Sequence, residues 1–209
     1  MLNDDAAELR RFDDLPSTEV AGRRFFATLD ALDTTTMVPV ALLLFRSSLE
    51  PARRARALRA LESYLVRRLV RGLSTKTYSQ LAARLVSVAR EDLSNADDHI
   101  VQELLSSGAD TFRWPTDDEL VKHLESQSLY GWIGRRRLVF VLGELERAKR
   151  SQKSEELALP SRLEVEHVMP QSWRANWPLP DDPELVQRRN AHLNLLGNLT
   201  LVTGPLTCV

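Results

Sequence analysis

Between Glu50 and Gly72 the chain carries Leu58, Leu61, Leu65 and Leu69 at helical spacing, with Pro51 in the first turn and Gly72 just past the end. A helix of about 20 residues with one apolar stripe is stable only when other elements cover that stripe. Suitable covers follow in the sequence. Leu81, Leu85 and Val88 repeat the pattern from Tyr78 to about Leu93, and Ile100, Leu104 and Leu105 predict a shorter helix after a turn at Asn95 to Asp98. Thr116 and Glu119 have capping-box spacing behind Pro115, with Leu120, Val121 and Leu124 as the buried stripe and Trp114 docking just before them. A last helix, Arg135 to Arg150, turns Leu138, Val141, Leu142 and Leu145 inward and Glu144, Glu146, Arg147 and Lys149 outward. The expectation is a mainly α protein, with a helical domain over residues 1–158.

The pattern changes after a polar, proline-punctuated linker at Ser151 to Ser161. Leu163, Val165 and His167 alternate with Glu164 and Glu166 before Pro170, which predicts a short strand. Trp173, Trp177, Pro178, Pro180 and Pro183 mark an irregular excursion, a short helix fits Pro183 to about Asn190, and Leu195 to Val202 is a second β-prone run. Residues 159–209 therefore read as two strands joined by a long loop.

The chain has 209 residues and a single cysteine, Cys208, so an intramolecular disulfide framework is excluded and a reducing, cytoplasmic setting is expected. The longest apolar run, Met37 to Phe45, is too short to cross a bilayer, and Asp4, Asp5 and Glu8 stand where an export signal would be basic. A net charge of −1 argues against non-specific coating of nucleic acid, yet Arg53, Arg54, Arg56, Arg59, Arg67, Arg68 and Arg71 crowd one helix. That face is either solvated surface or a phosphate-contacting one, for which Arg53, Arg56, Arg67 and Arg68 are the candidates.

LEVEHVMPQSW followed by LGNLTLV resembles the C-terminal nuclease domain of the GmrSD-type modification-dependent restriction endonucleases, a branch of the HNH (His-Me finger) family. RRLVRGLSTKTY, RWPTDDEL and LYGWIGRRRLVFVLGELE resemble the helical region preceding that motif, so the similarity is expected over nearly the whole chain. The resemblance implies a metal-dependent DNA endonuclease of a restriction or anti-phage defence system, acting on foreign or modified DNA. It also implies a longer protein, in which a ParB-like domain with nucleotide-dependent activity lies upstream.

Phosphodiester hydrolysis needs a base for water and a means of neutralising charge at the phosphate. The resemblance assigns the base to His167, a metal-ligand role to the adjacent Glu166, and to Asn198 the task of fastening the loop that holds the histidine. Glu166 and His167 can share one ion only if the strand bends between them. Gln171 either contacts phosphate or closes the turn; His192 reads as a surface histidine, and the four tryptophans as packing anchors. In relatives an asparagine on a following helix completes the ββα-metal motif, whereas Thr207 stands in that place here. The motif is expected to be incomplete, with magnesium or manganese weakly bound or absent. The competing reading is a non-catalytic helical module, its arginine-rich helix touching DNA or a partner and its nuclease motif vestigial.

Overall fold

The structure, a computed structural model, describes residues 15, 19–106, 108, 111–150, 160, 162–180 and 182–204. It is mainly helical and forms two compact units, residues 1–116 and 117–209.

The first unit contains α1 (Val20–Leu32), α2 (Val38–Arg46), α3 (Pro51–Val70), α4 (Tyr78–Glu91) and α5 (Ala96–Ser106). The α3 stripe of Leu58, Leu61 and Leu65 is buried, extended by Tyr64 and Val70, while Leu69 is only half-buried. Its covers are α1 and α5, and α2 packs on α4. The apolar run Met37 to Phe45 becomes α2 because Pro39 occupies its first turn, where the missing N–H costs nothing. Met37 just before this helix, Val40 and Leu44 on it, and Phe25 and Leu29 on α1 are core residues. Gly72 ends α3 at φ 64°: its amide donates to the Leu69 carbonyl and the Leu73 amide to that of Arg68, both closing turns of a Schellman motif. The turn expected at Asn95 to Asp98 lies largely inside α5, because Asp92 caps a short 3₁₀ turn at Leu93–Asn95 and the helix starts at Ala96. Leu105, expected in the stripe, is 61% exposed.

The second unit contains α6 (Asp117–Ser126), α7 (Arg135–Lys149), β1 (Leu163–His167), α8 (Trp173–Asn176), α9 (Pro183–His192) and β2 (Leu199–Thr203). The strands pair antiparallel in unbroken register, from Leu163 opposite Thr203 to His167 opposite Leu199. Helix α7 packs against both strands through a face that buries Leu138, Val141 and Leu142. The compact unit begins at 117, and within it α7 ends at Lys149 and β1 begins at Leu163. Helix α6 has no buried residue: Leu120 and Leu124 are half-buried and Val121 is exposed, so the expected stripe is shallow.

Between the strands, the expected irregular excursion contains α8, whose Trp173 is 1% exposed. Its indole N–H donates to Asn190 Oδ1 at 3.1 Å, and the Arg174 and Arg189 guanidiniums lie 4.8 and 4.7 Å from the ring centre. Asp182 accepts from the amides of Glu184 and Leu185 and Pro183 fills the first turn, which starts α9 sharply. Apart from Pro160, the expected linker at Ser151 to Ser161 lies outside the described residues, as do Thr207 and Cys208. Among the described residues no helix is long and apolar enough to cross a membrane.

Candidate functional site

His167 is the last residue of β1, and the chain leaves the strand through Val168 and Met169. That exit is fixed by Asn198, at the end of a 3₁₀ turn leading into β2. The Val168 amide donates to the Asn198 carbonyl at 2.9 Å, and the Met169 amide to Asn198 Oδ1 at 2.8 Å. Asn198 Nδ2 donates in turn to the carbonyls of Met169, at 3.1 Å, and Leu193, at 2.7 Å. One carboxamide therefore ties together the segment after His167 and the segment before β2. Donor and acceptor are needed at once, which an amide side chain supplies and a carboxylate does not.

The imidazole has close neighbours. His167 Nε2 lies 2.9 Å from Asn194 Oδ1, within the second unit and 27 residues along the chain. Tyr130 stands edge-on to the ring, with centroids 4.6 Å apart. The Ser128 hydroxyl links these two neighbours, bonding to the carbonyls of Asn194 at 2.8 Å and Tyr130 at 3.2 Å. Gln171 Nε2 is 3.5 Å from both His167 Nε2 and Asn194 Oδ1, at the outer limit of a hydrogen bond. Of its two sequence readings, the structure shows the side chain turned toward the imidazole. Asn194, Ser128 and Tyr130 carry no local signature; only the fold brings them to His167.

Glu166 is exposed and sits opposite Thr200. Because the ladder runs unbroken through 166 and 167, successive side chains alternate between faces, and the bend that a shared ion site requires is absent. The side chains that reach His167 Nε2 are neutral carboxamides, Asn194 through its oxygen and Gln171 through its nitrogen. Among the described residues no group of three His, Cys, Asp or Glu side chains could hold a metal ion. These residues do not by themselves compose a divalent-cation site.

His192 closes α9 with Nδ1 against the Arg188 carbonyl at 2.7 Å and is exposed. Trp173 is a packing anchor, and Trp114 packs edge-on against Tyr64, but Trp132 and Trp177 are half exposed.

The four candidate phosphate-binding arginines have partners inside the first unit. Arg53 pairs with Asp97 at 2.5 Å and Asp98 at 3.1 Å, and Arg56 with Asp97 at 3.2 Å and Asp98 at 2.6 Å. The pair with Arg56 holds the Asp98 carboxyl below its ordinary range and raises the Arg56 guanidinium above its own. Arg67 donates to Ser63 Oγ and the Pro115 carbonyl. Arg68, 1% exposed, donates to the carbonyls of Ser74, Thr111 and Arg113 and offers no surface to a phosphate.

No curated protein and no solved structure matched the chain. A family model did: that of the GmrSD restriction endonucleases, C-terminal domain, over residues 114–206. RWPTDDEL from its tryptophan onward, LYGWIGRRRLVFVLGELE and the whole His167 to Asn198 site lie inside the match, while RRLVRGLSTKTY lies outside it. The match starts within three residues of the second compact unit, so sequence family and fold delimit nearly the same segment. Over residues 114–206 the chain is thus similar to the C-terminal domain of the GmrSD restriction endonucleases.

Proposed function

We propose that the second unit carries an HNH-type centre for DNA phosphodiester hydrolysis, with His167 as general base, in a protein of a restriction or anti-phage defence system. The carrying observation is the end of β1, where Asn198 clamps the backbone at Val168 and Met169 and so presents an imidazole at a fixed strand terminus. In the proton-transfer step the imidazole takes a proton from water, the water oxygen bonds to phosphorus, and the bond to the leaving sugar oxygen breaks. Asn198 acts by position: a base must be held within hydrogen-bond reach of the proton it removes.

A divalent ion, magnesium or manganese, would supply charge neutralisation at the phosphate. Glu166 is the described carboxylate nearest to His167 in sequence, and without a full ligand set the ion is expected to bind weakly. DNA, foreign or modified, is the substrate this reading implies, and a ParB-like domain the upstream partner. The binding-module alternative draws little support from the arginine-rich helix, where Arg53 and Arg56 pair with Asp97 and Asp98 and Arg68 is buried.

The test is His167→Ala, assayed by plasmid nicking with manganese alongside the wild type. Nicking should fall by about 10²-fold or more, the order of a general-base contribution, with DNA association and melting temperature unchanged. Equal nicking by the variant removes His167 from the mechanism.

A further inference from the structure

We propose that Asn194 is a positioning residue that fixes the tautomer of His167, holding the proton on Nε2 and leaving the Nδ1 lone pair as the basic site. This deepens the nuclease reading and rests on it only for the consequence, not for the contact. The contact is the 2.9 Å approach of His167 Nε2 to Asn194 Oδ1. A carboxamide oxygen accepts and cannot donate, so a neutral imidazole bonded to it must carry its proton on Nε2.

The surroundings keep the carboxamide in that role. Ser128 bonds the Asn194 carbonyl, and the same hydroxyl reaches the Tyr130 carbonyl, so the loop that brings the Tyr130 ring against His167 also anchors Asn194. Gln171 Nε2 lies 3.5 Å from both Asn194 Oδ1 and His167 Nε2, and with the proton on His167 Nε2 it can donate only to the Asn194 oxygen. With Nε2 occupied, a water to be deprotonated must approach Nδ1, and the scissile phosphate must lie on that side of the ring.

The proton position can be read without any turnover. The ¹⁵N-labelled 209-residue chain, at about pH 8.5 where an ordinary imidazole of pKa ~6.5 is neutral, is examined by long-range ¹H–¹⁵N correlation, with His167→Ala identifying the ring among the four histidines. The wild type should show Nε2–H with a pyridine-like Nδ1. Asn194→Ala should shift the ring toward a tautomer mixture, and Asn194→Asp, which keeps the acceptor, should restore Nε2–H. An Nδ1–H ring in the wild type overturns the assignment, as does a wild-type pattern in a folded Asn194→Ala. Because the wild-type spectrum alone can refute the proposal, it stays decidable if a variant fails to fold. In nicking assays Asn194→Ala should lose about tenfold or more, the scale seen when the partner of a functional histidine is removed, and Asn194→Asp should recover part of it. Equal nicking by Asn194→Ala and the wild type also overturns the positioning role. The expected tautomer together with equal nicking by His167→Ala and the wild type would sink the base role of His167 while sustaining the Asn194 contact.

Discussion

Arg68 shows how far the meaning of a residue depends on where its side chain ends. In the sequence it is one of seven arginines on a helix and a candidate for phosphate; in the fold its guanidinium is buried between the rings of Tyr64 and Tyr78, 5.4 and 5.8 Å from their centres, and donates to three backbone carbonyls. Helical periodicity marks which face of α3 is apolar but cannot show that a cation has been brought inside to satisfy the segment from Thr111 to Arg113. Removing it leaves the Ser74 and Arg113 carbonyls without this donor, while Thr111 keeps the Thr77 hydroxyl, at about 1–3 kcal/mol for each carbonyl that stays dry. Arg68→Ala is therefore expected to lose about 3 kcal/mol or more in urea denaturation, with little recovery in Arg68→Lys, which lacks the planar fork. Weakened DNA association at unchanged stability would instead return Arg68 to phosphate contact. Asn198 is the opposite case, since the resemblance of LGNLTLV to the nuclease motif already implied a fastening role, while its place after Gly197 alone suggested only a turn residue. Asn198→Ala should cost about 2–4 kcal/mol, because it strands the Met169 amide and the carbonyls of Met169 and Leu193. Asn198→Asp should be no better, since it keeps the acceptor but sets a carboxylate against two carbonyls. An Asp variant as stable as the wild type would show that the two donated bonds contribute little.

At the scale of elements, the legible parts are those whose start and stop rest on local chemistry. Pro51 and Gly72 delimit α3, Pro183 opens α9, and the alternation from Leu163 to His167 is β1. What misled was the entry to α5. Asn95 to Asp98 looks like a turn because short polar side chains favour turns, but Asp92 uses that same property one step earlier. It accepts from the Ser94 amide at 2.9 Å, the Ser94 hydroxyl at 2.6 Å and Asn95 Nδ2 at 2.7 Å. These bonds, led by the Ser94 hydroxyl, hold the Asp92 carboxyl down at about 2. A folded-state value below the ordinary carboxylate value of ~3.9 means a contribution present above pH ~4 and lost as pH falls through the folded value. The wild-type melting temperature should accordingly decline between about pH 4 and pH 2, and Asp92→Asn should be less stable at neutral pH with a shallower decline over that window. Parallel acid limbs in the two proteins would show that the cap adds nothing to the folded state.

For the whole molecule, the arrangement of the site was less legible than its motif. EHVMP and LGNLTLV disclosed His167 and Asn198, but Asn194 and Tyr130 reach the imidazole only because the strands are closed by α8 and α9 and the loop after α6 folds back within the same unit. The same closure bears on the metal. An unbroken ladder sends Glu166 to the face opposite His167, and the nearest polar neighbours of the imidazole, Asn194 and Gln171, are neutral. A divalent cation gains most from several anionic oxygens in one cage, and a site poor in carboxylates falls to the weak end, with Kd about 10⁻⁴–10⁻³ M. Calorimetric titration of the 209-residue chain with manganese is expected to fall in that range, with neither Glu166→Gln nor Asn194→Ala changing it. Nicking should then rise with manganese up to millimolar concentrations and vanish in His167→Ala. Binding at micromolar concentrations or tighter, abolished by Glu166→Gln, would mean that β1 bends at its end and brings both side chains to one ion. That result would replace the alternating strand with a strand-terminal metal centre.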